Sequence, residues 1–126
     1  MPDVLNQPAG KPGWTVICLC AEWCGTCRDY RTALEQRART RDDAVHVWID
    51  IEDESDWLGD LDLETLPTLL VLNERRPMFF GTVLPHVEII DRTLRALREN
   101  GPSGDPVPVE FKNAVARVVE KLAVVR

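Results

Sequence analysis

Residues 14–20, WTVICLC, form a nearly continuous apolar run rich in β-formers, and the pattern changes period directly after it. Such a run suits a strand buried on both faces, as in a mostly parallel sheet. From about Cys24 to Thr40 the residues Cys27, Tyr30, Leu34 and Ala38 recur at helical spacing, while the five arginines between Arg28 and Arg41 lie mostly elsewhere. A buried strand that hands over to a helix at once confines the chain to the α/β architectures.

The remaining pattern extends this reading. AVHVWIDI (44–51) alternates well enough for a second strand, and TLLVLN after Pro67 reads as a third. The turn RRP then leads into MFFGTV, a fourth strand antiparallel to the third. Val87, Ile90, Leu94 and Leu97 mark a helix over about 85–99, and NGPSGDPVP (100–108) is a linker by its Gly and Pro content. Phe111, Val115, Val118, Leu122 and Val125 mark an amphipathic C-terminal helix. The order predicts an α/β fold with a central mixed sheet of about four strands flanked by helices. An irregular arm (1–13) precedes the main domain (14–99), the linker (100–108) and the C-terminal helix (109–126).

At 126 residues the chain is one domain, long enough to bury roughly two-thirds of its unfolded surface. A formal charge of −6 argues against nucleic acid as a partner. No run of 18 apolar residues is present, so no membrane span is expected. The N-terminal MPDVLNQPAGKPG has neither a basic nor an apolar leader region, which makes the cytoplasm the expected location. Thiols stay reduced there, and clustered cysteines are catalytic or metal-binding more often than structural.

All four cysteines fall within CLCAEWCGTC, residues 18–27. Cys24 and Cys27 flank Gly25 and Thr26 at the expected start of the helix. A helix N-terminus has unpaired N–H groups and about half a positive charge, which stabilises a thiolate. Two cysteines at i, i+3 on a first turn can approach closely enough to form a disulfide. Cys18 and Cys20 would face one side of the buried strand as small hydrophobes. Their direct bridging lies near the limit of disulfide geometry. Two alternatives stay open: Cys18 as a third redox thiol beneath Cys27, and a metal site built from the C-x-C-x3-C-x2-C spacing.

AEWCGTC (21–27) resembles the active-site segment of thioredoxins, and LPT (66–68) resembles the loop in which their cis-proline faces the two cysteines. The resemblance covers roughly residues 14–99. It implies a thiol–disulfide oxidoreductase, a role in cell redox homeostasis, and no cofactor beyond a redox-active Cys24–Cys27 disulfide. Cys24 would be the nucleophile and Cys27 the resolving thiol. Trp23, Gly25 and Thr26 would shape the surface around Cys24. Leu66 would offer its backbone to an extended substrate, Pro67 in cis would hold that backbone against the thiols, and Gly81 would match the glycine near the peptide groove. The implied partners are protein disulfides and a thioredoxin-reductase-type electron donor.

Three positions depart from the family. Its buried aspartate, six residues before the nucleophile, is replaced by Cys18. The lysine beside that aspartate is replaced by Trp48, and the proline before the resolving cysteine by Thr26. The acid/base relay is therefore missing, which predicts slower turnover and leaves an adaptor that merely holds its partner as an alternative. Asp50, Glu52, Asp53, Glu54, Asp56, Asp60, Asp62 and Glu64 occur without an intervening basic residue, as a solvated face or a guide for basic substrates. His46 and His86 read as structural, and Trp14, Trp48 and Trp57 as packing. Thioredoxins begin with a strand and a helix, which thirteen proline-rich residues cannot both supply. The 109–125 helix is expected to cover the flank left bare, or to pair with a second copy.

Overall fold

Strand β2 (Trp14–Cys20) is buried along all but its first residue. Its alternation sends Val16, Cys18 and Cys20 to one face and Ile17 and Leu19 to the other, so it belongs to two cores at once. The computed structural model describes residues 3–8, 10, 13–21, 24–53, 67–102 and 104–125, with Val124 and Val125 described by backbone alone. Around β2 stand β1 (Asp3–Val4), α1 (Gly25–Thr40), β3 (Val45–Asp50), β4 (Thr68–Asn73), β5 (Arg76–Thr82), α2 (Glu88–Asn100), a 3-10 turn (Val109–Phe111) and α3 (Lys112–Val125).

The strands form one mixed sheet in the order β1-β3-β2-β4-β5. β2 and β3 run parallel, from Thr15 opposite Val45 to Cys20 opposite Asp50, and α1 joins them. β4 runs antiparallel to β2, and β5 antiparallel to β4. One face carries α1 and α2, whose Tyr30, Leu34, Ile90 and Leu94 meet Val16, Cys18, Leu69 and Val71. The other face carries α3, whose Val115, Val118 and Leu122 meet Ile17, Leu19, Val47 and Leu70. Each such side chain contributes about 1.5–3 kcal/mol when fully buried.

The sheet has five strands among the described residues, one more than the sequence patterning yields, and the 1–13 arm is not wholly irregular. Asp3 and Val4 pair antiparallel with Trp48 and Val47. The open edge of β3 presents unpaired N–H and C=O groups, and the arm satisfies them. The Leu5 N–H donates to the His46 carbonyl at 2.8 Å, and Asn6 Oδ1 accepts from the His46 N–H at 2.8 Å. Arg31 on α1 fixes the strand with an ion pair to Asp3 at 2.8 Å.

α2 starts at Glu88, three residues later than the apolar spacing suggests. Pro85 disfavours helical backbone at Leu84, and residues 84–87 form a turn instead, with the His86 N–H donating to the Leu84 carbonyl at 2.8 Å. At the far edge, Pro77 sits in β5 where the register shifts between Val71 and Leu72, a place where a missing N–H is tolerated. Gly13, with φ +77°, leads the chain into β2; a Cβ there would come within 2.8 Å of Glu74 Oε1.

Candidate active site

β2, β4 and β5 end together, and the site forms at that end. Leu19 pairs with Thr68, and Thr68 with Thr82. The next residues in line are therefore Cys20, Pro67 and Val83. The Val83 N–H donates to the Pro67 carbonyl at 3.2 Å, and the Ile51 N–H to the Cys20 carbonyl at 2.9 Å. Pro67 is buried beside Cys20; half-buried Val83 and exposed Leu84 extend an apolar rim outward.

From Cys20 the chain turns into α1. The Cys24 N–H donates to the Ala21 carbonyl at 3.1 Å, and the Cys24 carbonyl accepts from the Arg28 N–H at 3.1 Å. Cys24 is thus the N-cap, in extended conformation at φ −88° and ψ 117°, and its side chain makes no capping bond. Its thiol is free and half-buried, packed on the edge of the core under α1. Gly25 and Thr26 beside it are exposed, and Cys27, one turn inside, is fully buried.

Cys27 is bonded to Cys20, seven residues upstream, with their Cα atoms 5.8 Å apart. The Ala21 N–H also donates to Cys27 Sγ at 3.4 Å. Two expectations change. Cys20 is not a passive hydrophobe, and the bond present is not the Cys24–Cys27 disulfide that the resemblance implies. The physical reason is facing: Cys27 heads the buried stripe of α1, and Cys20 points from the strand end to that same face. The sulfur bonded to Cys27 is that of Cys20, while Cys18 and Cys24 are free. While Cys20 and Cys27 are bonded to each other, their sulfurs do not serve as metal ligands. Among the described residues no group of His, Cys, Asp or Glu is arranged to hold a metal ion.

Cys18 lies opposite Trp48 on β3 and Leu69 on β4. Burial pushes its thiol up, so it holds its proton. Burial, and then Cys18 itself, likewise push the Tyr30 phenol up, and among the described residues the buried Tyr30 hydroxyl has no hydrogen-bond partner. Trp48 is buried under the Arg31 guanidinium, which sits 5.2 Å from the ring centre. The two positions at which the sequence departs from the family's relay are therefore packed together without a carboxylate.

Gly81 pairs with Leu69, and a Cβ there would make only ordinary contact with Phe79, so no close approach demands glycine. Trp23, Leu66, Trp57 and the acidic positions from Glu54 to Glu64 lie outside the described residues. Asp50, Glu52 and Asp53 are described: Asp50 Oδ1 accepts from the Glu52 N–H at 2.9 Å and the Asp53 N–H at 3.2 Å, a local turn at the site's flank. Sequence reasoning missed Cys20 and the Val83–Leu84 rim. The signal for Cys20 was its place at the end of the strand, on the face that receives α1.

Residues 6–85 match the family model described as Thioredoxin. A protein of Streptomyces coelicolor described as putative thioredoxin 2 is 27% identical over 87 residues, which is 68% of this chain and 65% of the relative's own length. The chain thus spans just under two-thirds of that relative. Among solved structures, the germline-specific thioredoxin Deadhead of Drosophila melanogaster superimposes with a TM-score of 0.58 at 19% identity, covering 69% of this chain and 83% of that one. Thioredoxin f of spinach chloroplast gives 0.55 at 20% identity, covering 69% and 72%. Mitochondrial thioredoxin 3 of Saccharomyces cerevisiae gives 0.57 at 17% identity, covering 74% and 83%. At such identities the structures speak for the fold, and the family model speaks for descent: the chain belongs to the thioredoxin family.

Proposed function

We propose that the protein is a thiol–disulfide oxidoreductase acting on protein disulfides through Cys24. One observation carries this reading: a free, half-buried thiol stands at the N-cap of α1 without making a capping bond, one turn before a second cysteine. The amides of the first turn stabilise negative charge on a sulfur placed there. In the reduced chain, the Cys24 thiolate attacks a substrate disulfide. One substrate sulfur leaves as a thiolate, and the other stays bonded to Cys24. Cys27 then attacks Cys24 Sγ and releases the second substrate sulfur. The substrate gains two electrons, and the protein is left with a Cys24–Cys27 disulfide.

The other roles are those that the family resemblance implies. Pro67 stands beside Cys20 at the end of the sheet, where it orients an extended substrate whose backbone pairs with Leu66. Trp23, Gly25 and Thr26 frame the nucleophile, and Gly81 leaves room on the strand behind. A thioredoxin-reductase-type donor in the cytoplasm resets the pair. Among the described residues no helix is long and apolar enough to cross a membrane.

The test is reduction of insulin disulfides by dithiothreitol, with wild type against Cys24→Ser. Loss of nearly all acceleration in the variant is expected, and an unchanged rate overturns the assignment. A second reading, an adaptor that holds partners without turnover, draws on the burial of Cys27 in its bond with Cys20. It predicts no acceleration by wild type and equal partner capture by Cys24→Ser.

A further inference from the structure

Cys27 can reach two cysteines: Cys24, three residues before it at the start of the helix, and Cys20, to which it is bonded. Cys20 and Cys27 are both fully buried, whereas Cys24 is half-exposed. A sulfur at the junction of an outer and an inner partner can pass a disulfide between them. We propose that Cys20 is a third redox-active cysteine, which takes the disulfide from Cys24–Cys27 into the core and frees Cys24. This rests on the function proposed above.

The step balances internally. After a substrate is reduced, Cys24 and Cys27 are joined. The Cys20 sulfur attacks Cys27 Sγ, and its proton passes to the departing Cys24 sulfur. The Cys20–Cys27 bond forms, the Cys24–Cys27 bond breaks, and Cys24 departs as a thiolate that takes up that proton. No electrons enter or leave. The β2 end holds Cys20 in place through its carbonyl bond to Ile51, and the Ala21 amide donates to the Cys27 sulfur from the turn between them. The oxidised protein then carries a sealed disulfide and an available nucleophile together. A reductant cannot meet the sealed pair directly. The way back is the reverse step, in which Cys24 attacks Cys27 Sγ and brings the disulfide to the surface.

The experiment follows both the bond and the route to it. Protein is oxidised with oxidised glutathione, alkylated with iodoacetamide without unfolding, and cut with chymotrypsin. Cleavage after Leu19 and Trp23 separates Cys18, Cys20 and the Cys24/Cys27 peptide. A cross-link from Cys20 to Cys27, with Cys24 alkylated, is expected. A Cys24–Cys27 loop with an unlinked Cys20 overturns the proposal. In Cys24→Ser the Cys20–Cys27 bond should be reduced by dithiothreitol at least tenfold more slowly than in wild type. Reduction at the wild-type rate overturns the relay, because the bond would open without Cys24. Should Cys24→Ser still accelerate insulin reduction, the proposed function fails on its own account, whereas the cross-link and its opening rate judge Cys20 separately.

Discussion

Arg37 Nη1 donates to His46 Nε2 across 2.6 Å inside the protein, joining α1 to β3. Arg37 Nη2 reaches Asp91 on α2 at 2.6 Å and Asp43, just before β3, at 3.0 Å. Its side chain is only 4% exposed. One guanidinium thus ties α1 to the start of β3 and to α2.

Stability should fall as pH drops from about 6.5 towards 4. Burial and then the Arg37 charge push His46 down to about 4, while Asp43, the Ala44 backbone and Asp91 oppose this more weakly. The unfolded histidine titrates near 6.5, so between those values the unfolded chain binds the additional proton, at up to about 1.4 kcal/mol per pH unit. Burial alone would raise Asp43, but the hydrogen bond and charge of Arg37, helped by Arg98 and His46, hold it below the usual carboxylate range. Its contribution is lost only at still lower pH. Urea unfolding at pH 7, 6, 5 and 4 measures this. His46→Gln, which keeps an acceptor for Arg37, should flatten the slope above pH 4; an unaltered slope would assign it to other groups.

Removing Arg37 should be costly. Arg37→Ala removes the cation shared by Asp43 and Asp91, leaving only Arg41 at 3.7 Å from Asp91 and the charge of Arg98 near Asp43, and a loss of about 3 kcal/mol is expected in urea unfolding. Arg37→Lys should recover less than half, since an ammonium cannot bond two carboxylates and an imidazole in one plane. Full recovery by lysine would show that charge alone matters there.

Leu122 is fully buried between α3 and the sheet. Leu122→Ala should cost about 2–4 kcal/mol in chemical unfolding. A change below about 0.5 kcal/mol would mean that α3 does not stay on the sheet in solution.

An acid at position 18 should quicken turnover. Cys18 holds its proton and cannot serve as a base, so Cys27 is left to lose its proton to solvent or substrate. Cys18→Asp is expected to raise the insulin reduction rate about tenfold or more, at some cost in melting temperature. A folded variant with an unchanged rate counts against a missing relay.

Much of the architecture was legible because burial follows period. The run at 14–20 is β2, and the stripe Cys27, Tyr30, Leu34 and Ala38 is the buried face of α1. Arg37 is buried on that helix too, and hydropathy ranks it outside. Its partners lie 6, 9 and 54 residues away, so only tertiary structure brings them to it. β1 escaped notice because two residues carry no period, and their pairing is decided by the open edge of β3. The family's own spacing drew Cys24 and Cys27 together on paper. Four cysteines allow three full pairings, and a sequence cannot choose among them.

The two borders of the sheet differ from its middle in what they allow. On one side β1 is two residues long, and on the other β5 carries a proline at an irregular step. Among the described residues, neither rim offers the long, unbroken row of donors and acceptors that another chain would need to continue the ladder. Growth into fibrils by strand addition is therefore discouraged at both rims.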